Sequence, residues 1–271
     1  MGDTAKSQNS GRPSPASDRN HPQSAIDNSP SILVSVVIPA YNEEKLIAAA
    51  IESVWRSASP LVGQGRVEVI VVDNASTDRT AEVATQARAR VVTEPRRQIA
   101  RARNVGARNA RGEFLIFLDA DSQMHPDQLQ RAVELLASGH VIGGGALIAM
   151  DAAWDYRAFV GVWNFVSRIC RLAAGSFLFC ARESFERVGG FDETLYASEE
   201  LAFSKALKRL GGPQGKRFVI LADLPVKTSN RKVVDHTRWQ NWSMLLRLAV
   251  KGEKGLRDPA ACAFWYPETR K

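Results

Sequence analysis

Apolar residues along this chain fall in short runs, interrupted at most by a single polar residue such as Ser35 or Glu68, each closed by a proline or a polar residue. Leu33 to Ile38 ends at Pro39, Val67 to Val72 at Asp73-Asn74, and Phe114 to Leu118 at Asp119. Runs of this length, rich in β-branched and aromatic residues, read as strands buried on both faces. Between them the period changes. Asn42 opens a helical pattern that extends to about Trp55, with Asn42 as its cap. Ser76-Thr77-Asp78 opens a second helix, to about Ala89, with acidic charge in its first turn. Val91-Val92 reads as a short strand and Ile99 to Ala110 as a helix. This alternation predicts an α/β fold, a mostly parallel sheet with helices on both faces. Ligands of such sheets bind beyond the carboxyl ends of the strands. That edge would gather Pro39 to Glu43, Asp73-Asn74 and Asp119 to Asp121.

Beyond Asp121 the alternation fades. Pro126 to about Leu136 reads as a helix, Val141 to Met150 as an extended segment, and Trp154 to Leu172 as an apolar helix with Arg168 and Arg171 near its end. Gly175 to Cys180 follows as a strand, Val188 to Glu193 as a turn, a helix from about Ser198, and Arg217 to Leu221 as a strand. Thr237 to Val250 has the pattern of an amphipathic helix carrying Trp239 and Trp242. It suits an anionic membrane surface or packing onto the domain. Phe264-Trp265-Tyr266 are expected to pack back as well.

Composition narrows the class. Residues 1–31 are dominated by Ser, Pro, Asn, Asp and Gln and are expected to form a disordered polar tail ahead of one domain, 32–271. The chain has 271 residues, 45% of them hydrophobic, enough for a sizeable core. No signal segment is evident, and the longest uncharged apolar stretch, Ala158 to Ser167, falls short of the about 20 residues of a membrane span. Cys170, Cys180 and Cys262 lack metal-ligand spacing and are expected as small core hydrophobes in a reducing compartment. Together these point to a cytoplasmic protein, with peripheral attachment at the inner face of the membrane as an extension. The net charge of +7 raises a nucleic-acid or other anionic-polymer binder as a competing class. Carboxylates at the proposed functional edge, and no evident stacking platform, weigh against nucleic acid.

Candidate chemistry centres on Asp119 and Asp121. In an extended chain both side chains project the same way, so the pair suits a hard divalent cation; an acidic turn is the alternative. From Arg88 to Arg111 there are eight arginines and a single acid, Glu94. They read either as a solvated helix face or as diphosphate-holding guanidiniums, with Arg103-Asn104 the pair of choice for the latter. Gly143-Gly144-Gly145 suits a phosphate cradle or, equally, close packing. Glu199-Glu200 opens a helix, so the pair either complements the helix dipole or supplies a base.

In order and spacing, the segments 34–44 (VSVVIPAYNEE), 68–78 (EVIVVDNASTD), 102–106 (ARNVG), 117–121 (FLDAD), 188–192 (VGGFD) and 198–200 (SEE) resemble the family 2 glycosyltransferases of GT-A fold, a Rossmann-like architecture. The resemblance runs from about residue 32 to at least 210. It implies a nucleotide diphospho-sugar donor, a hydroxyl acceptor, and Mg2+ or Mn2+ as cofactor, with residues 32–122 as the nucleotide-binding half and 123–271 as the acceptor-binding half. It places Pro39, Tyr41, Glu43 and Asp73 around the nucleoside with Asn74 at the donor site, Asp119 by the nucleotide, Arg103 on the leaving group's charge, and Asp121 on the metal with Asp119 as a second ligand. It makes Glu200 the base, with Glu199 in reserve, although the family's second acid is usually Asp and the acid often found two positions later is Ala202. One base with direct displacement implies inversion at the anomeric carbon. The segment 227–231 (KTSNR) resembles a basic stretch that closes over phosphates, and His236 is either a further metal ligand or structural. A sugar-nucleotide binder without catalysis remains the alternative within this resemblance.

Overall fold

The computed structural model describes residues 1–2, 32–62, 65–150, 154–173, 175–229 and 257. The expectations for residues 3–31, 237–250 and 264–266, for Asn230 and Arg231 of the basic stretch, for His236 and for Cys262 fall outside them. Strands β1 (Val34–Ala40), β2 (Val67–Asp73), β3 (Arg90–Thr93) and β4 (Phe114–Leu118) form the parallel half of an eight-stranded sheet, in the order β3-β2-β1-β4. Helices α1 (Ile47–Ser57), α2 (Ser59–Val62), α3 (Thr80–Gln86) and α4 (Ile99–Asn109) connect them. The second half continues the sheet as β7-β6-β8-β5: β5 (Ser122–Gln123), β6 (Val141–Met150), β7 (Phe177–Ala181) and β8 (Arg217–Thr228). β7 runs antiparallel to both β4 and β6, β8 parallel to β6, and β5 antiparallel to β8. The sheet is therefore mixed, wholly parallel in its first half. Helices α5 (Gln128–Ala137), α6 (Trp154–Cys170), α7 (Arg182–Val188) and α8 (Glu199–Gly211) accompany this half.

The apolar runs bury both faces, as expected. Along β4, Phe114, Ile116 and Leu118 join one core cluster while Leu115 and Phe117 join the other. On the second face α4 lies close against β1. A Cβ on Gly106 would stand 2.2 Å from Val37 Cγ1 and 3.0 Å from Val72 Cγ2, so glycine permits that approach. The triple glycine is explained the same way. Methyl groups on Gly144 and Gly145 would fall 2.4 Å from the Phe179 ring and 2.2 Å from Ala173 Cβ, so the stripe is filled by packing rather than cradling phosphate.

Several local expectations are corrected. Asn42 does not cap α1, which starts at Ile47 without a side-chain cap; Asn42 sits at φ 52° and bonds across to the next loop. α3 begins at Thr80, because Asp78 accepts the Thr80 amide at 2.9 Å and holds residues 76–79 as a loop. α7 fills the interval between the expected strand and turn and takes Val188 from the turn, and β8 extends to Thr228. Cys180 is a core residue, but Cys170 is exposed at the end of α6.

Candidate active site

The parallel register brings the predicted edge together, with Ala40 opposite Asp73 and Asp73 opposite Thr93. Asn74 locks its loops. Its amide nitrogen donates to Ala40 O at 2.8 Å, its side chain donates to Glu94 O at 2.9 Å and Arg96 O at 2.8 Å, and its Oδ1 accepts Gln98 N at 2.9 Å. With every amide group engaged and the side chain buried, Asn74 shapes the site from behind. Asn42 Oδ1 accepts the Thr77 amide at 2.8 Å, and the Glu43 amide donates to Thr80 Oγ1 at 2.8 Å. The β1–α1 and β2–α3 loops are thus stitched side by side. Pro39 is buried within β1, whereas Tyr41 is half-buried at the edge under the Arg97 guanidinium, 3.6 Å from its ring centroid. Asp73 Oδ1 accepts the Ser76 amide at 3.2 Å.

Arg103 links this edge to α8. It is 1% exposed, a location tolerable for a charge only when that charge is matched. Its guanidinium donates to Asp119 Oδ1 at 2.9 Å, to Gly175 O at 3.1 Å, and to Glu199. Burial works against its charge, yet the Asp119, Glu199 and Glu200 carboxylates outweigh it and raise its pKa above the ordinary arginine value. A Cβ at Gly175 would stand 2.8 Å from Nη2, so glycine leaves room for the fork. Arg103 also stands 5.3 Å from the Phe191 ring centroid, in an aromatic cluster where Phe191 packs on Phe203 at 4.3 Å and on Phe117 at 4.9 Å. The cluster seats the turn before α8 on β4. Arg103 is thus engaged by two carboxylates, and its charge acts on the edge through Asp119.

The two adjacent acids have different surroundings. Glu199 is 3% exposed and ion-paired to Arg103. Glu200 is half-buried. Burial, the neighbouring Glu199 charge and a hydrogen bond between the two raise its carboxyl well above the ordinary carboxylate range, against the opposing pull of Arg103. A half-buried carboxylate of raised pKa at the start of α8 suits proton abstraction.

Asp121 stands at the β4–β5 turn. Its carbonyl accepts the Ser229 amide at 3.0 Å, and Ser122 pairs with Thr228 and Gln123 with Lys227. Residues 227–229 of the basic stretch thereby run beside Asp121, with exposed Lys227 across the ladder from Gln123. Among the described residues no group of three or more His, Cys, Asp or Glu is arranged to hold a metal. The donor set at Asp119 and Asp121, one carboxylate already shared with Arg103, fits a cation that completes its shell with phosphate oxygens and water.

Most of the remaining arginines have other partners. Arg90 and Arg111 reach Glu68 at the opposite end of β2, at 3.4 and 3.1 Å. Arg101 pairs with Glu94 at 3.1 Å and Glu193 at 2.9 Å, and Arg88 lies over Trp55. Of the eight arginines Arg103 alone is buried and Arg97 and Arg101 are half-buried; Arg88, Arg90, Arg96, Arg108 and Arg111 stay exposed, with Arg90, Arg108 and Arg111 beside carboxylates. Gln98 escaped sequence reasoning, and Asn104, expected beside Arg103 at the diphosphate, is buried and bonded to the 191–193 turn instead. Gln98 Nε2 donates to Glu193 O at 2.6 Å and Leu195 O at 3.1 Å, and Asn104 Nδ2 donates to Phe191 O and Glu193 Oε1, both at 2.9 Å. Together they tie the turn before α8 to α4. Only the length of the 188–193 turn hinted at such anchoring.

A half-parallel sheet with carboxylates at the carboxyl edge of its strands, closed by an acid-bearing helix, is the GT-A architecture of glycosyltransferases. The chain belongs to glycosyl transferase family 2, whose model matches residues 35–177. It is 37% identical over 134 residues to an undecaprenyl-phosphate 4-deoxy-4-formamido-L-arabinose transferase of Pseudomonas aeruginosa, covering 46% of this chain and 39% of that protein. It is 31% identical over 185 residues to glycosyltransferase AglE of Haloferax volcanii, covering 64% and 60%. The matches thus span between about two fifths and three fifths of these relatives' lengths. Among solved structures it is similar to the mannosyltransferase PcManGT of Pyrobaculum calidifontis in complex with GDP-Man and Mn2+ (24% identity, 83% of this chain, 62% of that one, TM-score 0.61). It is also similar to residues 1–349 of S. aureus TarS in complex with UDP (22%, 73%, 60%, TM-score 0.57).

Proposed function

We propose that this chain transfers a sugar, with inversion, from a nucleotide diphospho-sugar to an acceptor hydroxyl, using Mg2+ or Mn2+. The observation that carries the reading is the buried Arg103 bridge, which fixes a donor-side carboxylate and the α8 acid pair around one edge. Residues 32–122 form the nucleotide-binding half, with Tyr41, Glu43 and Asp73 lining the nucleoside site. Asp121 and Asp119 hold the cation, which when bound neutralises charge on the leaving diphosphate. Lys227 adds a second positive charge from the β8 side. In the transfer step the acceptor oxygen bonds to the anomeric carbon as the bond from that carbon to the diphosphate oxygen breaks. The bonding pair leaves with the nucleoside diphosphate, and the acceptor proton goes to Glu200. Glu199 orients Glu200 and stays paired with Arg103. The acceptor half lies from residue 123 onward, and a relative named for undecaprenyl phosphate supports a lipid-linked or cell-envelope acceptor.

The test is a thermal-shift screen of nucleotide diphospho-sugars with and without Mn2+, on the wild type and on Asp121→Asn. A donor present at a hundred times its dissociation constant should stabilise the fold by about 2.7 kcal/mol. Stabilisation by one donor that needs metal and disappears in Asp121→Asn supports the reading. Failure of every donor to stabilise the wild type would refute it.

A further inference from the structure

Helix α6 carries its amphipathicity inside out. Its polar residues face the sheet: the Asn164 side chain accepts the Ile148 amide at 3.0 Å and donates to Ile148 O at 2.8 Å, while Ser167, 1% exposed, donates to Leu172 O at 2.7 Å. Its large apolar residues face out. Val162, Phe165 and Ile169 are each 64% exposed and Val166 is 37% exposed. At about 100° per residue these four fall within one face, opposite Asn164 and Ser167. Among the described residues no other element exposes a large hydrophobic side chain, Met1 apart. An ordinary surface helix places these residue types the other way round.

Charge identifies the occupant. Residues 160–173 contain no acid, while Arg168 and Arg171 are exposed and Lys208 Nζ donates to Cys170 O at 2.8 Å, so the end of the stripe is basic. A second copy packed parallel on this face would bring the same cations together, and one packed antiparallel would offer them a single acid of α6, Asp155. The chain's own residues 230–271 carry nine Lys and Arg against four Asp and Glu, and so are equally ill matched. An anionic bilayer surface complements both the apolar face and its basic end. We infer that α6 is a membrane-docking helix, seating Val162, Phe165, Val166 and Ile169 at the headgroup boundary of an anionic membrane. The helix is anchored to β6, whose end pairs with β8 at Thr228, so docking would hold the Asp121 edge near the bilayer. The inference rests on α6 alone, and its failure leaves the transferase reading standing.

The test is co-sedimentation of the full chain with vesicles of phosphatidylcholine plus phosphatidylglycerol, and with phosphatidylcholine alone. The wild type should bind the anionic vesicles and lose affinity as salt rises. The double variant Phe165→Ser, Ile169→Ser should lose roughly tenfold in affinity per side chain and keep its thermal midpoint, because both side chains are exposed. No binding to anionic vesicles would overturn the inference. So would a double variant that binds like the wild type, which would place attachment elsewhere. A wild type that self-associates in ultracentrifugation, with a monomeric double variant, would make a second copy the occupant.

Discussion

Removing the Arg103 charge is the most searching perturbation of the site. Arg103→Met keeps much of the side-chain volume but strands Glu199, itself 3% exposed, without its cation. Breaking a buried pair from one side costs about 3–5 kcal/mol, whereas neutralising both partners costs much less. The cycle of Arg103→Met, Glu199→Gln and the double variant should therefore show a coupling of about 2 kcal/mol or more. At about 2–4 °C per kcal/mol for a domain of this size, Arg103→Met should melt roughly 10 °C below the wild type. Urea denaturation of the four proteins measures the cycle. Because Arg103 pulls the Glu200 pKa down, the acid limb of kcat/KM should also move to higher pH in any Arg103→Met protein that folds. Additive single losses with an unmoved acid limb would refute the bridge, since neither would be coupled to α8.

Other substitutions probe separate links. Glu200→Gln should lower kcat by about 10²–10⁴-fold with metal-dependent donor binding intact, measured by product formation beside thermal shift. Unchanged turnover would remove Glu200 as base. Gly106→Ala drives a methyl toward Val37 and Val72 and should cost about 1–3 kcal/mol in urea denaturation; a neutral result would show that α4 can lift from the sheet freely. Burial alone would raise the Glu68 pKa, but hydrogen bonds from Ser35 and Arg111, with the Arg111 charge, leave it lowered. A depressed folded pKa stabilises above the unfolded carboxyl value of about 4.3 and loses that stabilisation as pH falls through the folded value. The wild-type advantage over Glu68→Gln, about 1–2 kcal/mol at pH 7 given the exposure of its arginine partners, should shrink as urea titrations move below pH 4.5. A constant difference across that range would contradict the linkage.

The parallel half of the fold was legible because burial on both faces leaves a two-sided apolar run, and β1, β2 and β4 begin and end within two residues of those runs. The loops were less legible. Asn42 carries a capping residue type but turns at φ 52° to bond Thr77, a choice set by a neighbouring loop 35 residues away. β7 could not be assigned a direction from its sequence, since an antiparallel central strand is as apolar as a parallel one. Within the site, the carboxylates were visible as strand-end punctuation, but the fate of each arginine was not. Arg103 and Arg111 look alike in sequence, yet one lies under the edge of Asp119 and the other at the opposite end of the sheet on Glu68.

The departure at position 200 follows from that placement. Two neighbouring carboxylates at a helix start cannot both be bases if one buried arginine binds only one of them. Arg103 takes Glu199, which carries the structural pairing, and leaves Glu200 to feel the Glu199 charge and the partial loss of water. Separate environments then assign separate roles to adjacent acids of the same type. On this argument the length of the second side chain matters less than its exclusion from the arginine. Glu200→Asp should therefore retain activity well above Glu200→Gln, with its acid limb still raised by Glu199. An Asp variant as inactive as Gln would mean that reach, rather than the partition of charge by Arg103, governs the base.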